Sequence, residues 1–236
     1  MTEKETLVII PARGGSKGVP KKNIKDLLGK PLIQYTLDFA VKYYKPEDIC
    51  VSTDSEEIRE VVQSLGYTVP FLRPDELASD YSGSREVIIH AIEYYKKQGI
   101  HYKNILLLQP TSPVRNEQTM KDILKMAGNS DDYDMIVSVK TAKSNPYFNL
   151  FEEDENGYLA KSKQGDFTRR QDCPIVYEYN GAFYYISTDR ILKHNISDFE
   201  RVIKIVDDKA IYNIDIDTMM DWKMTELIME EYNLNN

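Results

Sequence analysis

The chain's first apolar run, residues 7–10, passes straight into a loop of glycines and positive charge. The whole stretch, 7–23, reads LVIIPARGGSKGVPKKN. A strand that empties into such a loop at its C-terminal end marks the usual ligand position of an open α/β sheet. Gly14, Gly15 and Gly18 let main-chain N–H groups approach an anion closely, and Arg13, Lys17, Lys21 and Lys22 place charge beside them. The loop reads as a cradle for a polyphosphate. Neither common phosphate signature is present. GxxxxGK[ST] is absent, which excludes a P-loop NTPase, and so is the dinucleotide pattern GxGxxG. The competing reading is a flexible βα loop that binds nothing, with Lys21, Lys22 and Lys25 as ordinary solvated surface.

The next 130 or so residues, to about 140, alternate strand and helix signals, as a mostly parallel sheet flanked by helices requires. Pro31 suits a helix start, and Ile33, Leu37, Ala40, Val41 and Tyr44 follow at helical spacing. ICVST at 49–53 reads as a strand, with Asp54 or Ser55 able to cap a helix that stops at Gly66. YTVPFL at 67–72 reads as a short strand weakened by Pro70. Residues 84–98 carry Val87, Ile88, Ala91, Ile92 and Tyr95 on one helical face. ILLLQ at 105–109 is an apolar central strand, Asn116 caps the next helix, and MIVSVK at 135–140 is another strand.

This rhythm breaks at 141–179, which is polar, aromatic and irregular, with strand-like pieces at 147–151 and 157–160. The segment is too long for a plain connection. It reads as a hairpin excursion that covers the site or contacts another subunit. Strand signals resume at 181–187 and 202–206, and a final helix from Thr218 is expected to bury Met220, Met224, Leu227 and Ile228. The 236 residues suit one domain, 1–236, with the excursion inserted in it.

A formal charge of −8 argues against a general nucleic-acid binder, and the cations gather instead at the first loop. Only two cysteines occur, Cys50 and Cys173, without CxxC spacing, and the three histidines are scattered. Neither pattern suggests a metal cage or a disulfide, which fits a reducing cytoplasm. The N-terminus lacks a signal-peptide core, and no apolar run approaches about 20 residues. A soluble, cytoplasmic protein without a membrane partner is expected.

A second chemical signal is IDIDT at 214–218, which follows a strand signal at 210–214. In extended chain alternate residues face the same way, so Asp215 and Asp217 project together while Ile214 and Ile216 face the core. Two carboxylates on one face can hold Mg²⁺ beside substrate phosphates. The alternative is a solvated strand end with a helix cap at Asp217 or Thr218. Further polar clusters fall at strand ends. LRPDELASDYSGS at 72–84 carries Arg73, Asp80, Ser82 and Ser84, and QPTSPVR at 109–115 begins where the central strand ends. FTRRQD at 167–172 brings two arginines to the excursion.

In order, PARGGSKGVPKKN, STD, LRPDELASD, LLQPTSP, RRQD, NGAFY and DIDT strongly resemble the acylneuraminate cytidylyltransferases, over residues 7 to about 218. The resemblance implies a Rossmann-like sheet of the nucleotide-diphospho-sugar transferase type, a small dimerisation hairpin at 141–179, and a homodimer. It implies that CTP activates a nonulosonic acid to the CMP-sugar with release of pyrophosphate, using Mg²⁺ or Mn²⁺. Ala12, Arg13, Gly14, Ser16, Lys17, Lys22 and Asn23 would bind the nucleotide and its triphosphate, with Arg13 and Lys17 acting in catalysis. Arg73, Ser82 and Ser84 would surround cytosine. Gln109, Arg170 and Tyr184 would lie on the sugar side. Asp215 and Asp217 would hold the metal.

One departure concerns the sugar. Several sialic-acid enzymes carry Arg-Pro before the Asn-Gly of NGAFY, where this chain has Glu178 and Tyr179. NPYFNL at 145–150 and RRQD look more like members that handle bacterial relatives such as legionaminic acid. The rival readings are a CMP-Kdo-type or other sugar nucleotidyltransferase, and a non-catalytic nucleotide-binding subunit.

Overall fold

The computed structural model describes residues 2–77 and 83–234. The chain runs through β1 (Thr2–Pro11), β2 (Asp26–Leu27), β3 (Lys30–Pro31), α1 (Leu32–Ala40), β4 (Ile49–Ser52), α2 (Glu56–Ser64) and α3 (Ser84–Lys97). It continues with β5 (Ile100–Leu107), α4 (Glu117–Asn129), β6 (Met135–Thr141), β7 (Phe151–Glu153) and β8 (Leu159–Lys161). The last elements are β9 (Tyr177–Ser187), α5 (Thr188–Lys193), β10 (Val202–Val206) and α6 (Met219–Glu231).

Six strands form the central sheet in the order β10-β6-β9-β5-β1-β4. β1 pairs in parallel with β4 and β5, and β10 with β6. β9 alone runs antiparallel to both its neighbours. The fold is therefore the mostly parallel, helix-flanked sheet expected, with ILLLQ at its middle. Successive side chains of a strand point to opposite faces. Val8 and Ile10 accordingly join Ile33, Leu37, Val51 and Ile136 on one side of the sheet. Leu7 and Ile9 join Ile88, Ala91, Leu107 and Ile186 on the other. Cys50 belongs to this second core, where burial pushes its thiol up to about 12, so it is an inert packing residue.

The helices begin where side chains can take up orphan N–H groups. Ser55 accepts from the Ile58 N–H and Asn116 from the Gln118 N–H. Thr218 and Asp221 form a reciprocal capping box at the start of α6. A third cluster ties the first loop to the C-terminal segment. Val19 and Leu27 pack with Ile214, Ile216, Trp222 and Met229.

Three sequence expectations are corrected. YTVPFL forms no strand; only a single bridge, Thr53 to Leu72, joins it to the β4 side. The signal at 210–214 is a 3₁₀ turn, Ala210–Tyr212, rather than a strand. The final helix buries Trp222, Thr225 and Met229, while Met220 is 68% exposed and Met224 and Leu227 also face outward. The apolar residues of this helix surround it on two faces, and the large indole chooses which face packs.

The excursion contains a hairpin, β7 against β8, and a 3₁₀ turn at Arg170–Asp172; the piece read as strand-like at 147–151 is a turn up to 149, and the strand starts only at Phe151. Its apolar side chains Phe151, Tyr158, Leu159 and Ile175 are exposed. Among the described residues, no helix is long and apolar enough to cross a membrane.

Candidate active site

A cleft of about 440 Å³ opens where β1 and β5 end, at the position the sheet topology favours for a ligand. The loop after β1 contributes Arg13, Ser16 and Lys17 to its wall, and the following turn contributes Lys22 and Asn23. Arg73, Ser84 at the head of α3, and Gln109 beyond β5 line it from the sides, and Asp217 closes it. Ser82 and Asp80 lie outside the described residues.

The loop owes its shape to internal hydrogen bonds. Buried Ala12 donates its N–H to the Ser52 carbonyl at 2.9 Å, continuing the β1–β4 pairing. Asn23 Nδ2 donates to the Arg13 carbonyl at 2.9 Å, and the Gly14 N–H donates to Asp54 Oδ1 at 3.0 Å. Ala12, Gly14 and Asn23 therefore build the loop through these bonds, while Arg13, Ser16 and Lys17 line the cleft. Asp54, which the sequence suggests only as a possible helix cap, anchors the loop, and Ser55 makes the cap.

The two chemical signals of the sequence meet here. Lys22 Nζ donates to the Ile216 carbonyl at 2.6 Å and lies 3.2 Å from Asp217 Oδ1. Gly18 sits against the Asp217 main-chain carbonyl, leaving no room for a Cβ. The Ile216 N–H donates to the Thr111 carbonyl at 2.9 Å, which fastens the segment to the loop after β5. Ile214 and Ile216 are buried and Asp215 and Asp217 exposed, so the expected alternation holds without a strand.

Arg73 is the most buried cation of the wall. Its Nη2 lies 3.5 Å from Asp54 Oδ1, and its buried Nε has no hydrogen-bond partner among the described residues. Burial holds its guanidinium below the usual arginine range; Asp54 opposes that shift and Arg13 adds to it. A buried N–H without an acceptor is costly, and this one lies on the wall of the cleft.

Gly181 has φ +80°, and a Cβ there would lie 2.9 Å from Ser112 Oγ and 3.3 Å from Gln109 Oε1, with the Asp215 carboxyl next to it. The glycine is required twice, by its backbone and by this crowding. β9 bulges here: Val137 pairs with Tyr184 and Val139 with Tyr179, leaving residues 180–183 looped out opposite Ser138. Tyr184 lies beside Asp215, and its phenol is pushed up to about 12 by burial first and by Asp215 and Tyr179 next. Asp215 is itself held above the usual carboxylate range by desolvation, with Asp217 adding and Thr111 and Lys22 opposing.

Arg170 does not join this group. Its guanidinium donates to the Ala142 and Lys143 carbonyls within the excursion. Glu178 pairs with Lys140 at 3.1 Å across β6 and β9. Ser112, Gly181 and the buried Arg115 behind Gln109 carry structural duties that their motifs did not disclose.

Among the described residues no three His, Cys, Asp or Glu side chains gather into a ligand cage. Asp215 and Asp217 are two hard oxygen donors beside the cation-lined loop, and the charge of Asp217 raises the cost of ionising Asp215. That donor chemistry fits a divalent cation of the Mg²⁺ kind, which takes one or two carboxylates and completes its shell with water and phosphate oxygens.

A cation-lined cleft at the strand ends of a mostly parallel sheet, closed by Asp217, is the arrangement of a nucleotidyltransferase. The chain belongs to the cytidylyltransferase family, whose model matches residues 7–231. It is 34% identical over 233 residues to the CMP-N,N'-diacetyllegionaminic acid synthase of Legionella pneumophila, covering 95% of this chain and 96% of that protein. It is 32% identical over 229 residues to the N-acylneuraminate cytidylyltransferase of Escherichia coli, covering 96% of this chain and 52% of that protein. The structure of a CMP:2-keto-3-deoxy-manno-octonic acid synthetase complexed with CTP shares the fold. The TM-score is 0.71 and the identity 15%, over 97% of this chain and 100% of that one.

Proposed function

We propose that this cytidylyltransferase joins CMP to a nonulosonic acid, an N-acylneuraminate or a bacterial relative such as legionaminate, and releases pyrophosphate from CTP. The observation that carries the reading is the meeting of Lys22 and Gly18 with Ile216 and Asp217, which sets an anion cradle against a carboxylate pair.

The reaction is an in-line displacement. The anomeric hydroxyl oxygen of the acid forms a bond to the α-phosphorus of CTP, the bond from that phosphorus to the bridging oxygen breaks so that pyrophosphate leaves with that oxygen, and the hydroxyl proton passes to solvent water. The protein's share is positioning and charge stabilisation. Arg13, Lys17 and the loop N–H groups hold the triphosphate, and Arg73 and Ser84 face the base. Lys22 neutralises charge at the Asp217 side. Gln109 and Tyr184 fix the acid near Asp215. Asp215 and Asp217 would hold Mg²⁺ or Mn²⁺, which supplies charge neutralisation and orients phosphate oxygens when bound.

Arg170 and the exposed apolar face of the excursion take part through a second copy of the chain. The exposed Leu159 and Ile175 support this homodimer reading.

The test is pyrophosphate release with Mg²⁺ and each nucleoside triphosphate in turn. The acids offered are N-acetylneuraminic, legionaminic and 3-deoxy-manno-octulosonic acid. Release with CTP and a nine-carbon acid is expected. Turnover restricted to the eight-carbon acid would move the protein to the CMP-Kdo type, and CTP binding without turnover of any acid would favour a non-catalytic subunit.

A further inference from the structure

Behind Gln109 lies a buried guanidinium that the catalytic reading does not use. Arg115 Nη2 donates to the Gln109 carbonyl at 2.5 Å, Nε to the Ala182 carbonyl at 3.2 Å and Nη1 to Thr36 Oγ1 at 2.9 Å. Its plane lies over the Phe39 ring, 5.9 Å from the centroid. Among the described residues no carboxylate pairs with it. Burying a charge without a counter-ion is expensive, and chains retain one where the fork does something a neutral side chain cannot.

These three acceptors sit on three different elements. Gln109 ends the segment after β5, Ala182 lies in the bulge of β9, and Thr36 belongs to α1. The residue before Ala182 is Gly181, whose α-carbon packs against Ser112 and the Gln109 side chain beside Asp215. A single planar fork therefore fixes the distance between the strand end that presents Gln109 and the bulge that presents Gly181.

We propose that Arg115 is a positioning residue for the transfer site, acting through Gln109: its fork sets the Gln109 side chain against Gly181 and Asp215, where the sugar acid is to be held. The proposal rests on the functional reading above. It requires Arg115 to keep its proton at neutral pH, and burial lowers its guanidinium only to about 9.

The experiment is a double-mutant cycle of Arg115→Met and Gln109→Ala, with Arg115→Lys as the conservative variant. Arg115→Met is expected to lower kcat/KM for the acid by about ten- to a hundredfold, the usual scale for a misplaced site, while CTP affinity stays near wild type. Arg115→Lys, which reaches fewer of the three acceptors, restores part of the loss. The double variant is no worse than the poorer single one. Multiplying losses in the double variant, or equal losses in CTP affinity and acid turnover, would overturn the proposal and leave Arg115 a packing residue. Wild-type turnover on the same plate reports the functional reading separately. A second readout needs no turnover: the Gln109 side-chain amide resonance is expected to move or broaden in Arg115→Met and to recover in Arg115→Lys. An unchanged resonance in both variants overturns the proposal.

Discussion

Gly18 packs its α-carbon against the main-chain carbonyl of Asp217, and any side chain at position 18 would collide with that oxygen. Lys22 fastens the same contact through the Ile216 carbonyl at 2.6 Å. The phosphate-type loop and the carboxylate pair are thus one rigid unit, although they come from opposite ends of the chain.

Gly18→Ala should separate the two. The obstacle is backbone rather than a flexible tip, so a cost of about 1–3 kcal/mol in stability is expected, as for overpacking elsewhere. Turnover should fall about a hundredfold as the loop shifts from Asp217. Gly15→Ala meets open space and should leave Tm near wild type. Thermal melts and steady-state rates on the two variants check both statements.

Asp215→Asn should divide activity from stability. Asp215 is exposed but partly desolvated, and it stands beside a second carboxylate; both conditions raise its pKa. Neutralising it relieves that strain, so Tm should hold or rise while turnover drops by orders of magnitude. Denaturation and pyrophosphate release measured on one preparation decide the matter, and a large loss of stability would contradict the electrostatic account.

Asp134 predicts the acid limb of stability. Its buried carboxylate accepts from the Glu200 and Arg201 N–H groups at 2.9 and 3.1 Å and pairs with Arg190 and Arg201. Burial alone would raise its pKa; the hydrogen bonds and Arg201 outweigh burial and bring it below the ordinary 3.8. A depressed folded pKa stabilises the protein above the unfolded value. That contribution disappears as pH falls through the folded value. Asp134→Ala should cost about 2 kcal/mol at pH 7, the scale of a lost charged hydrogen bond. The gap to wild type should begin to narrow below about pH 4 and go on shrinking as pH falls further, and melts across pH 3–7 would show its onset.

The excursion predicts the oligomeric state. Leu159 and Ile175 are 72% and 68% exposed on a segment that leaves the sheet. Leu159→Asp with Ile175→Asp should convert a dimer to a monomer in sedimentation experiments without lowering Tm of the sheet core. A wild-type monomer at micromolar concentration would remove the basis for placing Arg170 in a partner's site.

Much of this was legible because periodicity reports burial directly. The apolar runs that became β1, β5 and β6 could lie only inside a sheet, and capping chemistry pointed to helix starts at Asp54 or Ser55, at Asn116, and at Asp217 or Thr218, of which Ser55, Asn116 and Thr218 make the caps. The carboxylate pair was legible through Ile214 and Ile216, whose burial fixes which way the aspartates face. The errors arose where long-range packing outranks local pattern. Met220, Met224 and Leu227 make as good a helical stripe as Trp222, Thr225 and Met229, and only the third core cluster selects between them. YTVPFL has strand residues but finds no partner beyond Thr53. Arg115 drew no reading beyond its place in QPTSPVR, since nothing local shows that two carbonyl oxygens and a hydroxyl oxygen from separate elements enclose it.

The most direct measurement is the product itself. Purified protein with Mg²⁺, CTP and a nonulosonic acid should yield, by phosphorus NMR and mass spectrometry, one phosphodiester linking CMP to the anomeric oxygen, together with pyrophosphate. Neither should appear with Asp215→Asn. Inorganic phosphate and CDP in place of pyrophosphate, or no CMP-linked product with any nine-carbon acid, would contradict the account.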